Sequence, residues 1–378
     1  IEVASQNNQR MLDEFKKYFD DAVANPKAKY KTYVIRGNNH PDKMKKLKAF
    51  LDLHSIQYGN GSTRKAINGF NYQNGANESF SINQGDVVIS TYQPKSVLLQ
   101  AIFEPNTYAS TVETYDITAW AMPYLLDLDA YATEVKVDMS DGSFPSHTPI
   151  VNVGSNPAAY LLKWESLEDA KFLSEILKAG IKLRYGKGNF SVNGNDFKPG
   201  TLIITRKGNR HMGSKFDDTV KAAATKFGRS LYSTPTTFVD SGKDFGSNNV
   251  PFLQAPKILV LRGNGVSSLG FGEFWYFMEQ ELNYPITMVD TDAFGSVDLD
   301  EYNTIVLPSG SYGRMLNKDK LAEVKSWVRQ GGRLVAIERA LNSFVGKEGF
   351  ALKRYTDDDA KKEAEKKTDE EKEANALT

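Results

Sequence analysis

The sequence predicts an α/β chain: two related strand–helix–strand–hairpin units, followed by a domain built on a parallel sheet. Three observations carry this. Between Lys257 and Ile337, short apolar runs (257–262, 304–307 and 333–337) alternate with amphipathic segments of helical length (273–282 and 318–330). That is the pattern of strands buried on both faces with helices between them. Two phrases recur in order: 50–56 corresponds to 176–181, and 80–89 to 197–204. Turn residues also punctuate both halves at matching places, with Gly37–Pro41 against Gly154–Pro157 and Ser55 against Gly180.

Taken in order, residues 5–24 predict a helix with Met11, Leu12, Phe15, Phe19 and Val23 on one face, ended by Pro26. Thr32–Arg36 reads as a strand. Asp42 reads as the N-cap of a helix through His54 whose inner face is Met44, Leu47, Phe50 and Leu51. A short strand near Ile56, an irregular hairpin over 59–79, a strand at 86–91 and a helix from Pro94 to Phe103 follow. The second unit repeats this order. It has a strand at 150–153 and a helix at 166–178 with Leu167, Ala170, Leu173 and Leu177 inward. Gly180 caps that helix, and a strand at 181–184, a polar hairpin and a strand at 200–205 complete the unit. Residues 208–222 and 241–250, polar and glycine-containing, read as loops or a linker. The expected units are therefore 1–135, 136–250, the parallel-sheet domain 256–345 and a charged tail, 346–378. From Thr356 onward the tail holds almost nothing but Lys, Glu, Asp and Ala, so it reads as a solvated helix or a disordered segment.

Composition excludes several classes. The 378 residues carry 47 Lys and Arg against 47 Asp and Glu, so nothing in the charge balance favours nucleic acid or an anionic membrane surface. No run approaches a membrane span. The absence of cysteine removes disulfides, thiolate metal sites and cysteine nucleophiles together. With Ile1 first and no leader in view, the chain reads as a piece of a longer parent.

No catalytic residue and no metal ligand emerges from the motifs. The four histidines, His40, His54, His147 and His211, have no second ligand at metal spacing. The loop 263–272 lacks the third glycine of the dinucleotide fingerprint, because Ser268 stands there, and no Gly-Lys-Ser/Thr follows. Ser309-Gly310-Ser311-Tyr312-Gly313 half-matches a nucleophile elbow but has a serine for its first glycine and no downstream histidine. Asp290, Asp292, Asp298 and Asp300 lack calcium-loop spacing. Parallel sheets place ligands at the carboxyl ends of their strands. The candidate ligand-binding residues are therefore Gly265, Ser267, Ser268, Glu273, Ser309 and Ser311. Exposed Trp275 and Tyr312 would favour a small ligand or glycan there.

A family pattern is visible in short ordered phrases. These are Gly85–Ile89 with Gln93-Pro94, Glu104-Pro105, Tyr115–Trp120 with Pro123, and Pro199–Ile204. They continue with Gly265–Ser268, Gly270–Glu273, Tyr284-Pro285, Val306–Pro308, Trp327-Val328 and Gly331-Gly332. Spanning about 5–345, they resemble the region after the catalytic domain in large exported M14-type zinc carboxypeptidases of Bacteroidetes-like bacteria. The resemblance implies that the last domain has a class I glutamine amidotransferase-like, flavodoxin-like fold. It also implies a secreted, periplasmic or cell-surface setting. In that family a preceding domain holds zinc through a His-x-x-Glu pair and a distant His, with a Glu as general base. None of these motifs matches a position here, so zinc belongs to a domain outside this chain and no cofactor is expected within it. The amidotransferase nucleophile, a Cys after a strand, would fall at Glu338–Ala340. The implied function is a non-catalytic accessory region whose partner is its own N-terminal peptidase domain or another cell-surface protein. The alternative is a stand-alone ligand- or glycan-binding module with a degenerate amidotransferase-like domain.

Overall fold

The computed structural model describes residues 2–61, 64–106, 121–140, 142, 144–145, 148–150 and 153–356. Several expectations lie outside those residues: the phrase Tyr115–Trp120, His147, the middle of the strand expected at 150–153, and the tail from 357 on. The chain divides into two compact units, 1–149 and 150–378.

The first unit runs α1 (Glu2–Gln6), α2 (Asn8–Ala24), β1 (Thr32–Ile35), α3 (Pro41–Leu53), β2 (Gly59–Gly61), β3 (Arg64–Asn71) and β4 (Asn77–Ile82). It continues with β5 (Val87–Ser90), α4 (Ser96–Phe103), α5 (Met122–Leu125), β6 (Ala130–Thr133) and β7 (Met139–Ser140). The strands form one sheet in the order β4-β3-β6-β1-β5-β2-β7. β5 is antiparallel to both β1 and β2. The crossover β1–α3–β2 therefore lays down two parallel strands with a gap, and β5 fills the gap from the opposite direction, a split βαβ arrangement. The core between sheet and helices includes Ile35, Leu47, Leu51, Ile89 and Phe103.

Two local expectations need correction here. The cap of α3 is His40, whose ring nitrogen accepts from the Asp42 amide at 3.3 Å. Pro41 takes the first helical position, where its missing N–H is no loss. The apolar stripe of α2 exists but is not buried: Met11, Leu12, Phe15 and Val23 are 47–65% exposed, and Ala22 is the helix's one buried residue.

Tyr33 lies in this core, 1% exposed, its ring 5.1 Å from that of Phe103. Its hydroxyl has no hydrogen-bond partner among the described residues. A buried unpaired hydroxyl costs about 1–3 kcal/mol. Tyr33→Phe is therefore expected to leave stability unchanged or raise it by about 1 kcal/mol, read as the midpoint of urea unfolding.

The second unit begins with β8 (Ala159–Leu162), α6 (Leu167–Lys178), β9 (Arg184–Tyr185), β10 (Phe190–Val192), β11 (Asn195–Phe197), β12 (Leu202–Thr205), α7 (Lys215–Lys226) and β13 (Tyr232–Thr234). β8 at 159–162 is the run buried between β12 and β13. The sheet order is β13-β8-β12-β9, with every neighbouring pair antiparallel. It matches β6-β1-β5-β2 strand for strand, including a strand inserted between the two ends of the crossover. The turns match as well. Ser55 and Gly180 both have positive φ after the helix, and Gly85 (φ 92°) and Gly200 (φ 91°) both lead into the inserted strand. In the first unit the hairpin joins the main sheet through β3 and β6; in the second it stands apart as a two-stranded sheet.

Part of 208–222, expected as loop or linker, falls in α7, because Phe216, Val220, Ala223 and Ala224 make one buried helical face. On α6 the deeply buried side chains are Phe172 and Ile176, not the expected Leu167 face. Leu173 and Leu177 are half-buried against the same core, and Leu177 also packs against the core of the parallel-sheet subdomain.

Near one end of the two central strands of this sheet the Arg206 guanidinium and the Tyr160 hydroxyl both donate to Asp217. The Arg206 hydrogen bond holds the Asp217 carboxyl below the ordinary value of 3.8, against partial burial, which pulls the other way. A depressed folded pKa gives stability that is complete above the unfolded value and lost as pH falls through the folded one. The urea midpoint of the second unit is thus expected to drop on acidification below about pH 4, and Asp217→Asn is expected to flatten that slope.

The second unit closes with β14 (Ile258–Arg262), α8 (Ser268–Trp275), β15 (Thr287–Asp290), β16 (Thr304–Leu307), α9 (Lys318–Arg329) and β17 (Arg333–Ala336). The four strands are parallel in the order β15-β14-β16-β17. The edge strand β15 adds to the three expected strands. Burial on both faces holds for β14 and β16, whereas β15 and β17 leave Met288 and Val335 exposed. Among the described residues no helix is long and apolar enough to cross a membrane.

Candidate functional site

The parallel register brings the carboxyl ends of β14 and β16 side by side, and the two loops leaving them are stitched together. Ser267 N donates to Ser309 O at 2.8 Å and Ser311 N donates to Gly265 O at 2.9 Å, around an isolated bridge between Val266 and Gly310. Glycine is required on both sides. A side chain at Gly310 would meet Gly265 O at 2.6 Å, and Gly265 itself has φ 82° and would meet Ser311 O at 2.8 Å. Gly265, Ser267, Ser309 and Ser311 are thus one cluster.

The same hydrogen bonds limit what the cluster can do. A phosphate cradle needs loop amides aimed at solvent. Here the amides of Val266, Ser267 and Ser311 go to backbone carbonyls. Ser267 Oγ caps α8 by accepting from Gly270 N at 3.2 Å. α8 therefore starts at Ser268, five residues before the expected Glu273, and Gly270 and Gly272 are helical rather than loop. Ser268 is the exposed first residue of the helix. Glu273 is exposed farther along it and does not join the cluster.

A serine nucleophile needs a base within hydrogen-bond reach. Among the described residues neither Ser309 nor Ser311 has a side-chain hydrogen bond to a histidine or a carboxylate; Ser309 is buried and Ser311 exposed. The aromatics do not form an open stacking platform. Tyr312 is 1% exposed and its hydroxyl donates to Pro308 O, and the Trp275 indole donates to Glu279. Asp290 pairs with Arg262 at 3.2 Å, and Asp298 caps its own short turn by accepting from Asp300 N. Among the described residues no group of three or more His, Cys, Asp and Glu side chains could hold a metal ion.

The third strand end holds a feature that sequence reading missed. Glu338, directly after β17 and Ile337, has φ 50°, and the chain turns there into a short 3-10 helix, Glu338–Ser343. A non-glycine residue held in the left-handed region costs about 1–2 kcal/mol, so this turn is a local store of strain. The residue in the left-handed conformation is itself a glutamate, not the glycine or asparagine that would have announced it. Comparison with family models, with curated proteins and with solved structures finds no match to this chain.

Proposed function

We propose that this chain is a non-catalytic accessory region of an exported M14-type zinc carboxypeptidase, with a class I glutamine amidotransferase-like last domain, acting as a scaffold that packs against the peptidase domain. On this reading peptide hydrolysis and zinc belong to an upstream domain, and the setting is secreted, periplasmic or cell-surface. The phrases that carry the resemblance support it by their positions. Gly85-Asp86 and Pro199-Gly200 lead into the two inserted strands, and Gly265–Ser268 with Val306–Pro308 build the stitched strand ends.

The observation that carries the packing role is the open stripe of α2. Four large apolar side chains on one helical face, each about half exposed or more, form the kind of patch that marks a protein interface. Two results test the proposal. The coding sequence in the roughly 300 residues upstream, a domain-sized length, is expected to encode a His-x-x-Glu pair, a distant His and a Glu base; their absence sinks it. In the full-length parent, Leu12→Glu with Phe15→Glu is expected to release this region from the peptidase domain. X-ray scattering would read that as an enlarged radius of gyration, with the unfolding midpoint of this chain unchanged.

A further inference from the structure

The strand ends are not the only concave surface of the second unit. A groove of about 610 Å³ lies over one face of the parallel sheet, against α6 and the π-helical turn Tyr276–Glu281 that continues α8. Its volume is in the range of small-molecule sites. Register places it. Ile258, Thr304 and Arg333 form one row across β14, β16 and β17, at the amino ends of β14 and β16, and Val306 pairs with Val335 in the row beside it. The groove therefore lies along a face of the sheet from the amino ends of the strands to Val306 and Val335, and includes none of Gly265, Ser267, Ser309 and Ser311.

Its chemistry is one-sided. Val306 and Val335 form an apolar floor, with Leu177 and Met278 as walls. No carboxylate lines it, and its one charged group is Arg333. Among the described residues Arg333 forms no ion pair and its side chain makes no hydrogen bond. Two further polar side chains, Tyr185 and Gln254, also reach the groove without a side-chain hydrogen bond among the described residues. The backbone at Tyr185 is held in place, because its amide donates to Pro251 O and Leu253 N donates to Leu183 O just before β9. An apolar trough with a lone exposed guanidinium matches a ligand with an apolar body and one anionic end.

We propose that this groove binds a free medium-chain monocarboxylate, its chain lying over Val306 and Val335 against Leu177 and Met278, and its carboxylate paired with Arg333. The inference goes beyond the accessory role and does not depend on the identity of a parent enzyme. The experiment is a titration of the intact chain, methyl-labelled at Val and Leu, with octanoate and separately with 1-octanol, followed by NMR. Saturable shifts centred on the Leu177, Val306 and Val335 methyls are expected for both ligands. Arg333→Gln is expected to weaken octanoate about tenfold, as loss of a charge-assisted contact does, while 1-octanol is unchanged. Val335→Glu adds a carboxylate at a position exposed enough to tolerate it, and should abolish octanoate binding while the methyl spectrum stays folded. Shifts that never saturate, shifts centred elsewhere, or equal octanoate affinity in the Arg333→Gln variant would overturn the proposal.

Discussion

Asp169→Ala is expected to destabilise the second unit by about 3–5 kcal/mol. The Asp169 carboxylate is buried and does two jobs. One oxygen accepts from Arg229 Nη1 at 2.9 Å; the other accepts the amides of Glu165 and Ser166 at 2.8 and 2.7 Å, closing the first turn of α6. Both charged side chains are nearly out of water, at 4% and 8% exposed. Truncation takes from the buried Arg229 guanidinium a carboxylate it donates to, and breaking a buried pair on one side is far more costly than never having had the pair. The two contributions can be separated. Asp169→Leu combined with Arg229→Met removes both charges and should lose less than Asp169→Ala alone, leaving chiefly the loss of a helix cap, about 1 kcal/mol. Urea unfolding followed by hydrogen exchange would assign the change to amides of 150–250. An effect under about 1 kcal/mol for Asp169→Ala would show that water reaches the pair.

Asp86→Ala is expected to cost the first unit a similar amount, about 3–5 kcal/mol, with its amides losing protection. Asp86 is 3% exposed. It accepts from Arg36 Nη1 at 2.9 Å, Gly37 N at 3.0 Å and Asn83 N at 2.9 Å, so one side chain ties the end of β1 to the turn before β5. The Arg36 guanidinium is held on its other face by the Tyr131 ring, 4.6 Å from the centroid, and donates to Ser81 O. Removing the carboxylate strands a half-buried cation and two amides at once. Asp86→Asn keeps an acceptor but loses the charge, and should fall between the wild type and Asp86→Ala. Equal stability of all three would mean the backbone turn holds without its side-chain anchor.

How much of this could be read from the chain depends on what each residue buries. β14 and β16 were legible because both faces are covered, so the runs Ile258–Leu261 and Ile305–Leu307 are apolar throughout. β15 was not, because an edge strand with Thr287 and Met288 in solvent has no such run. α7 was hidden because half its buried face is alanine, which adds little hydropathy while fitting closely. The repeat was legible through its turns, since a positive φ demands particular residues, as at Gly85 and Gly200. The meeting of Gly265 with Ser311 follows from neighbouring parallel strands. That the Ser311 and Ser267 amides are spent on the carbonyls of Gly265 and Ser309, and leave little for a ligand, is a matter of backbone register that side-chain chemistry does not announce. The groove was out of reach for a similar reason: it needs Leu177 to touch two cores at once, that of its own sheet and that beside the parallel sheet, a contact made only when a second layer arrives.

The inserted strand has a consequence for synthesis on the ribosome. When β1, α3 and β2 have emerged, the two strands stand one width apart with nothing between them, and β5 is made only after the hairpin β3–β4. Until then the nascent chain displays two strand edges that face a vacancy, and the same wait recurs for β8 and β9 before β12. Each split pair is therefore joined only when a short apolar segment made after the hairpin emerges. A ribosome stalled just before Val87 or Leu202 would release a sticky fragment rather than a smaller working domain, and these two pauses are where a holding chaperone has most to gain.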